Sequence, residues 1–189
     1  MQCVKKGTKV YIADFKGGVD FPPIWHTKCS LLTDEKTLHK VLVSITDELQ
    51  SRKQILRTAG VANIDEYNLN AEEKLYRIVF ACDEIAEVLD KTGLSKQQKD
   101  EILKIESELS IIARQGRAFG IHLVLATQRP DAAILNGQIR NNIDTRICGR
   151  ADNVLSQIIL DNTDASDKIA KSSQGRFLTN SGKIFQAYW

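Results

Sequence analysis

Residues 76–84 of this chain read Tyr-Arg-Ile-Val-Phe-Ala-Cys-Asp-Glu, and the fold is decided in this stretch. The apolar run from Ile78 to Cys82 does not alternate with polar residues, which predicts a strand buried on both faces of a parallel sheet. Two acids, Asp83 and Glu84, follow the strand directly, and a helix-like segment comes next. Because open α/β sheets bind ligands at the carboxyl ends of their strands, we expect a functional site at this edge.

The acid pair has two interpretations on these residues alone. In ATPases of the phosphate-loop class, an Asp at this place helps to hold Mg²⁺, and a Glu directly after it can take a proton from the attacking water. The structural interpretation is that Asp83 caps the following helix while Glu84 interacts with the helix dipole. The rest of the chain is needed to choose between them.

Composition restricts the class of protein. The chain has 189 residues and a formal net charge of +2, which predicts one ordinary globular domain with a real core. A strongly basic balance, typical of nucleic-acid-binding proteins, is not present, although a local basic loop is compatible with this composition. The four cysteines form no CxxC motif, which indicates a reduced, cytoplasmic protein. No apolar run approaches the ~20 residues that span a bilayer.

Strand-like and helix-like segments alternate along the chain. Four strands are predicted: Lys9 to Asp14, the central run from Ile78 to Cys82, Ile121 to Ala126, and Thr145 to Gly149. Long amphipathic helices are predicted from about Asp34 to Thr58 and from Ser95, which forms a capping box with Gln98, to about Ala118. The segment from Trp25 to Leu32 is predicted to be an irregular link, and 175–188 to be a β-hairpin. This order predicts an α/β fold, a mostly parallel sheet with helices on both faces and a C-terminal hairpin.

Several of these segments carry a family resemblance. The run Ala-Arg-Gln-Gly-Arg-Ala-Phe-Gly-Ile-His-Leu-Val-Leu-Ala-Thr-Gln-Arg-Pro at 113–130 looks very similar to the corresponding stretch of the FtsK/SpoIIIE motor family. The Asp-Phe-Lys-Gly-Gly turn at 14–18 and the Asn-Ile-Asp-Thr-Arg-Ile run at 142–147 are also similar to family segments. In this context Asp83-Glu84 resembles a Walker B element. The resemblance covers nearly the whole chain.

The resemblance implies a RecA-like P-loop NTPase core that uses ATP and Mg²⁺. It implies a motor that moves double-stranded DNA through a ring, most simply a hexamer of this protein, in conjugative DNA transfer or chromosome segregation. Contact with a membrane is expected only through domains outside this chain, and the motor is expected in the cytoplasm.

One family element does not occur in the sequence. The Walker A loop, G-x-x-x-x-G-K-[ST], supplies the N–H groups and the Lys that hold phosphates, and no such motif is found in the 189 residues. In the family this loop precedes the strand that begins here at Lys9. We therefore expect a single partial motor domain without its first strand and phosphate loop, inactive by itself. A cloned fragment or a mis-started reading frame explains this more simply than a protein that evolved without the loop.

The resemblance assigns roles to four residues. Asp83 corresponds to the acid that holds nucleotide-bound Mg²⁺ through water, and Glu84 to the catalytic base. Gln128 corresponds to the polar sensor of the γ-phosphate, with a surface amide as its structural alternative. Arg150 is at the position of an arginine finger that acts on the neighbouring subunit, with Arg146 as a rival and a solvated charge as the alternative.

The DNA-contact candidates are basic residues in two loops, Lys91 and Lys96 in the first and Arg129 and Arg140 in the second. Sequence-independent contacts to phosphates need only such charges. Acidic residues in both loops reduce their net positive charge. The basic residues can therefore equally well belong to an ordinary solvent-exposed surface.

Two other functions compete with the DNA motor. Type VII secretion ATPases share the 14–18 turn and the core but move polypeptides, whereas the wording of 126–130 fits the DNA motors better. A catalytically inactive assembly module is the third interpretation, and it follows if the chain acts without a phosphate loop.

Overall fold

The computed structural model describes residues 2–16, 21–128, 130–131 and 134–187. Contacts between residues divide the chain into two compact units, Met1–Gln128 and Arg129–Trp189. The prediction that the whole chain is a single partial motor domain stays a prediction.

The first unit contains a parallel sheet of four strands in the order β2-β1-β3-β4. The strands are β1 (Lys9–Ala13), β2 (Ser30–Leu32), β3 (Ile78–Cys82) and β4 (Ile121–Leu125). Strand β3 is an inner strand, and its Phe80 side chain is fully buried. The prediction of a buried parallel strand at this place is confirmed.

The described residues of this unit also form six helices and a 3₁₀ turn. They are α1 (Gln2–Lys5), α2 (Pro23–Lys28), α3 (Glu35–Ala59), α4 (Ile64–Asn70), α5 (Ile85–Leu89), α6 (Lys96–Gln115) and the 3₁₀ turn Arg117–Phe119. The long helix α3 buries Leu38, Leu42, Ile45 and Leu49, which recur at helical spacing. The predicted capping box of Ser95 and Gln98 is present at the start of α6. Helices therefore flank a parallel sheet, as expected.

The prediction of an irregular link from Trp25 to Leu32 is wrong. Pro23 begins helix α2, because a proline at the first helical position needs no hydrogen-bond donor. The next residues form the edge strand β2, which pairs in parallel with β1 through Ile12 and Leu31. Three residues are too few to show a strand period in the sequence, so only the pairing with β1 reveals β2.

In its described part, the second unit contains three short helices and an antiparallel sheet in the order β5-β6-β7. Its elements are α7 (Gly137–Arg140), β5 (Ile147–Cys148), α8 (Asn153–Leu160), α9 (Asp164–Lys168), β6 (Arg176–Thr179) and β7 (Ile184–Gln186). Its core is a cluster of buried residues: Cys148, Leu160, Ala165, Ile169 and Leu178. The predicted C-terminal hairpin is confirmed as β6 and β7.

The prediction that Thr145 to Gly149 is a parallel strand is wrong. Only Ile147 and Cys148 form a strand, and they pair antiparallel with Thr179 and Leu178 of the hairpin. An apolar run shows that a segment is buried, but it does not determine the direction of the neighbouring strand. Among the described residues, no helix is both long and apolar enough to span a membrane.

Candidate active site at the carboxyl edge of the parallel sheet

The segments that follow β3 and β4 lie side by side. Cys82 pairs with Leu125 in the parallel register, so both strands end at the same edge of the sheet. The pairing continues beyond the strands, because the N–H of Ala126 donates to the carbonyl of Cys82 at 2.9 Å and the N–H of Ile85 donates to the carbonyl of Ala126 at 2.9 Å. Asp83 and Glu84 therefore lie beside the residues that precede Gln128.

Glu84 joins the two segments. Its Oε2 accepts a hydrogen bond from the Gln128 N–H at 2.8 Å, and its Oε1 accepts one from the Ala86 N–H at 3.2 Å. The second bond makes Glu84 the N-cap of helix α5. Thus Glu84, and not Asp83, takes the capping role that the structural interpretation assigned to the first acid.

The environment of Glu84 keeps the carboxylate ionised. Glu84 is 9% exposed, and this burial by itself raises its pKa. The hydrogen bond from the Thr127 side chain and the two backbone bonds outweigh burial. With the nearby charge of Lys16, they hold the pKa of Glu84 below its usual value.

Asp83 has a different environment on the same edge. Its N–H donates to the carbonyl of Ala13 on β1 at 3.2 Å, which fixes the backbone. Its side chain is 37% exposed, and Oδ2 lies 3.6 Å from the ammonium of Lys16. A partly exposed carboxylate of this kind can accept a ligand from solvent.

The Gln128 side chain is exposed, and it is the Gln128 backbone that contacts Glu84. The sequence predicted a polar residue at this place but not the role of its N–H. It also did not identify Thr127 as a neighbour of the acid, and it assigned no role to Lys16. The polar ends of strands β1 and β4 were the available signal, since parallel strands bring such ends together.

This edge suits a hydrated divalent cation. Mg²⁺ prefers oxygen ligands and is commonly held by one or two carboxylates, waters and substrate phosphates. Asp83 offers an accessible carboxylate, and Glu84 is ionised beside it. No cluster of three or more metal-ligating side chains occurs in the described part of the chain. The residues therefore fit a cation that takes most of its ligands from water and phosphate.

The arginine-finger candidate lies in the second unit. Arg150 is exposed, and its Nη1 donates to the carbonyl of Lys171 at 3.1 Å. Its rival Arg146 forms an ion pair with Asp161 at 2.5 Å. The hydrogen bond and charge of Arg146 lower the pKa of Asp161. Arg150 thus makes no ion pair with an acid in the described residues, whereas Arg146 does.

The DNA-contact candidates differ in their surroundings. Lys91 forms an ion pair with Glu106 at 2.7 Å, whereas Lys96 is exposed at the start of α6. Arg140 is half-buried, and its Nε has no hydrogen-bond partner within the described ranges. Arg129 lies outside the described residues. Of the three candidates that the structure describes, Lys96 is the one whose charge is plainly presented to solvent.

Comparison with known proteins agrees with the resemblance seen in the sequence. No protein-family profile matches the chain. A DNA translocase FtsK of Chlamydia pneumoniae is 33% identical over 148 residues, which cover 75% of this chain and 18% of that protein. The chain therefore spans about a fifth of the length of this curated relative.

Solved structures agree in fold. The conjugation coupling protein TcpA of pCW3, a monomer form with ATPγS, superposes with a TM-score of 0.91 at 39% identity, covering 98% of this chain and 53% of that one. EssC from Geobacillus thermodenitrificans superposes with a TM-score of 0.71 at 24% identity, covering 94% of this chain and 32% of that one, which shows a common fold. The fold is therefore that of these P-loop ATPases, and the chain is related to the FtsK/SpoIIIE family of DNA translocases.

Proposed function

We propose that this chain is part of the ATP-hydrolysing motor of a DNA translocase, in which the edge formed by β3 and β4 is the hydrolytic site. The observation that carries the proposal is the hydrogen bond of 2.8 Å between Glu84 and the N–H of Gln128. This bond brings an ionised acid and the predicted sensor residue to one sheet edge, beside an accessible Asp83.

In this proposal each residue has a defined task. Asp83 would hold Mg²⁺ through a water, and the metal, bound with ATP, would neutralise the charge that develops on the phosphates. Glu84 takes the proton of the attacking water. The side chain of Gln128 is free to contact the γ-phosphate because its backbone, and not its amide, holds Glu84.

The proposal extends to partners. Arg150 acts as a finger on the site of the next copy in a ring, which we take to be a hexamer. Double-stranded DNA is the substrate, and Lys91, Lys96, Arg129 and Arg140 are its contact candidates. Lys91 contributes least among them, since it is already paired with Glu106. Conjugative DNA transfer is the preferred process, because the 39%-identical structure is a conjugation coupling protein.

Protein secretion is the rival function. The type VII secretion ATPase EccC of Thermomonospora curvata is 22% identical to this chain, a level that supports a shared fold only. The relatives above 30% identity that we compared are DNA translocases and a conjugation protein. DNA is therefore the favoured substrate.

Two experiments test the hydrolytic site. The chain by itself is expected to bind ATP–Mg²⁺ no tighter than roughly 1 mM, or ~4 kcal/mol, and not to hydrolyse it, since most of the affinity in this class comes from a phosphate loop. Calorimetry measures the affinity. Micromolar binding would contradict this expectation, because it would require a second kind of phosphate site in the chain.

The second experiment supplies the loop. The chain is joined behind a segment that carries a Walker A loop, G-x-x-x-x-G-K-[ST], and DNA-stimulated ATP hydrolysis is measured. Glu84→Gln should abolish turnover and leave ATP binding intact, whereas Glu101→Gln, on the exposed surface of α6, should change neither. In an assembled ring, Arg150→Ala should lower turnover about 10³-fold. Full turnover by Glu84→Gln would exclude Glu84 as the base.

A further inference from the structure

The segment after β1 carries a lysine that the proposed function does not use. The N–H of Lys16 donates to Oδ1 of Asp14 at 2.9 Å. Asp14 is only 1% exposed, so this anchor belongs to the interior. The backbone of Lys16 is therefore fixed by a buried carboxylate at the same sheet edge as the candidate site.

The side chain of Lys16 extends to that site. Its ammonium lies 3.6 Å from Oδ2 of Asp83, and the two side chains are 39% and 37% exposed. Strands β1 and β3 are neighbours, and Ala13 pairs with Cys82 immediately before the two charged segments. The pair therefore connects adjacent strand ends, and water can reach both charges.

We propose that Lys16 is a positioning residue that acts as the resident counter-ion of Asp83 and is displaced when a divalent cation binds there. The inference rests on the proposed function, in which Asp83 holds Mg²⁺. A carboxylate oxygen that faces an ammonium is less available to a metal, and the two cations repel each other at this distance. Lys16 thus orients Asp83 while opposing the binding of a metal that arrives without nucleotide.

The ammonium of Lys16 also affects the charge balance at this sheet edge. Without a ligand, the ammonium offsets the adjacent charges of Asp83 and Glu84, and it contributes to the lowered pKa of Glu84. When metal and triphosphate arrive together, the anionic phosphates provide a new partner for the released ammonium. The edge then favours a metal–nucleotide complex over the free metal.

Binding of Mn²⁺ by the 189-residue chain itself, measured by electron paramagnetic resonance at low ionic strength, tests the proposal. Lys16→Gln should bind Mn²⁺ roughly three- to tenfold more tightly than the wild type, because a unit charge a few ångströms away is removed in a medium close to water. Lys16→Arg should match the wild type. Lys168→Gln removes an ammonium paired with Asp164 at 2.7 Å elsewhere in the chain and should change nothing.

A second measurement uses the wild-type chain. With ¹³C-labelled lysine, the Cε signal of Lys16 should move saturably as Mg²⁺ is added, and that of Lys168 should not. Asp83→Asn identifies the Mn²⁺ site that depends on Asp83. If this site has the same affinity in the wild type and in Lys16→Gln, the inference is overturned and the proposed function stays intact. If no variant shows a Mn²⁺ site that Asp83→Asn removes, both the inference and the metal role of Asp83 are overturned. A Lys16 signal that does not respond to saturating Mg²⁺ overturns the inference by itself.

Discussion

At the scale of single residues, Glu84 combines two tasks that compete. It caps helix α5 and holds the segment after β4, and the proposed mechanism also requires it to accept a proton. Donors to a carboxylate lower its pKa and weaken it as a base, so the same bonds that position Glu84 reduce its basicity. In the proposed motor, precise position is therefore obtained at the expense of proton affinity.

The two backbone bonds predict a pH-dependent contribution of Glu84 to stability. Because its pKa is lowered in the folded chain, the contribution should be complete above the pKa of the unfolded state, about 4.3. It should be lost as the pH falls through the still lower folded value. At pH 7, Glu84→Gln should lower the free energy of unfolding by about 1–3 kcal/mol, since buried N–H donors lose a charged acceptor.

Urea unfolding across the acid range measures this difference. The difference in the free energy of unfolding between the wild type and Glu84→Gln should decrease steadily below about pH 4.3. The exposed Glu101→Gln provides the control and should stay within about 0.5 kcal/mol of the wild type at every pH. A difference in the free energy of unfolding that increases on acidification would contradict the lowered pKa of Glu84.

At the scale of elements, the join between α6 and β4 sets the position of the sensor strand. Gly116 ends α6, and its carbonyl accepts from the N–H of Ile121, the first residue of β4, at 3.0 Å. A Cβ on Gly116 would lie 2.6 Å from the carbonyl oxygen of Ile121. A side chain is excluded by a backbone atom that cannot rotate away, although the φ of −67° is an ordinary helical value.

Replacement of this glycine is therefore expected to act against its usual direction. Gly→Ala at a helical φ normally stabilises a helix by up to about 1 kcal/mol. Gly116→Ala should instead destabilise the chain by about 1–3 kcal/mol, the cost of overpacking. Gly137→Ala in α7, where a Cβ would meet its nearest neighbour at 3.8 Å, is the matched control and should be neutral or slightly stabilising. Thermal unfolding of both variants distinguishes a clash with the backbone from an effect of helix propensity. Equal stability of Gly116→Ala and Gly137→Ala would show that the contact with the Ile121 carbonyl is not destabilising.

At the scale of the whole molecule, two buried thiols report on two cores. Cys82 is in β3, and burial raises its pKa to about 12; Cys148 is in the core of the second unit, where burial also raises its pKa. A thiol with a raised pKa reacts slowly until its surroundings unfold. The second unit has the smaller core, so it has less apolar burial to oppose chain entropy.

We therefore expect Cys148 to lose protection at a lower urea concentration than Cys82. Pulse labelling with a thiol reagent, followed by peptide mass spectrometry, measures both sites in one sample, with exposed Cys3 as the control that reacts throughout. A shared midpoint would show one cooperative domain, as the sequence analysis predicts. Separate midpoints would show that the two units unfold independently.

The sequence alone determined the features that short segments encode. The unbroken apolar run at 78–82 predicted a buried parallel strand, and the Ser95–Gln98 pair predicted the start of α6. The polar ends of two strands predicted that the segments after β3 and β4 lie at one edge of the sheet. Each of these depends on residues within a few positions of one another, so burial period and capping chemistry are sufficient.

Only the tertiary structure decided which segments meet. The parallel edge strand β2, the antiparallel direction of β5, the choice of Glu84 over Asp83 as the cap, and the contact of Lys16 with Asp83 all depend on partners from elsewhere in the chain. The physical reason is that strand pairing and ion pairing are settled by which surfaces become buried together. A local pattern shows that a surface is apolar or charged, but it does not identify the surface that covers it.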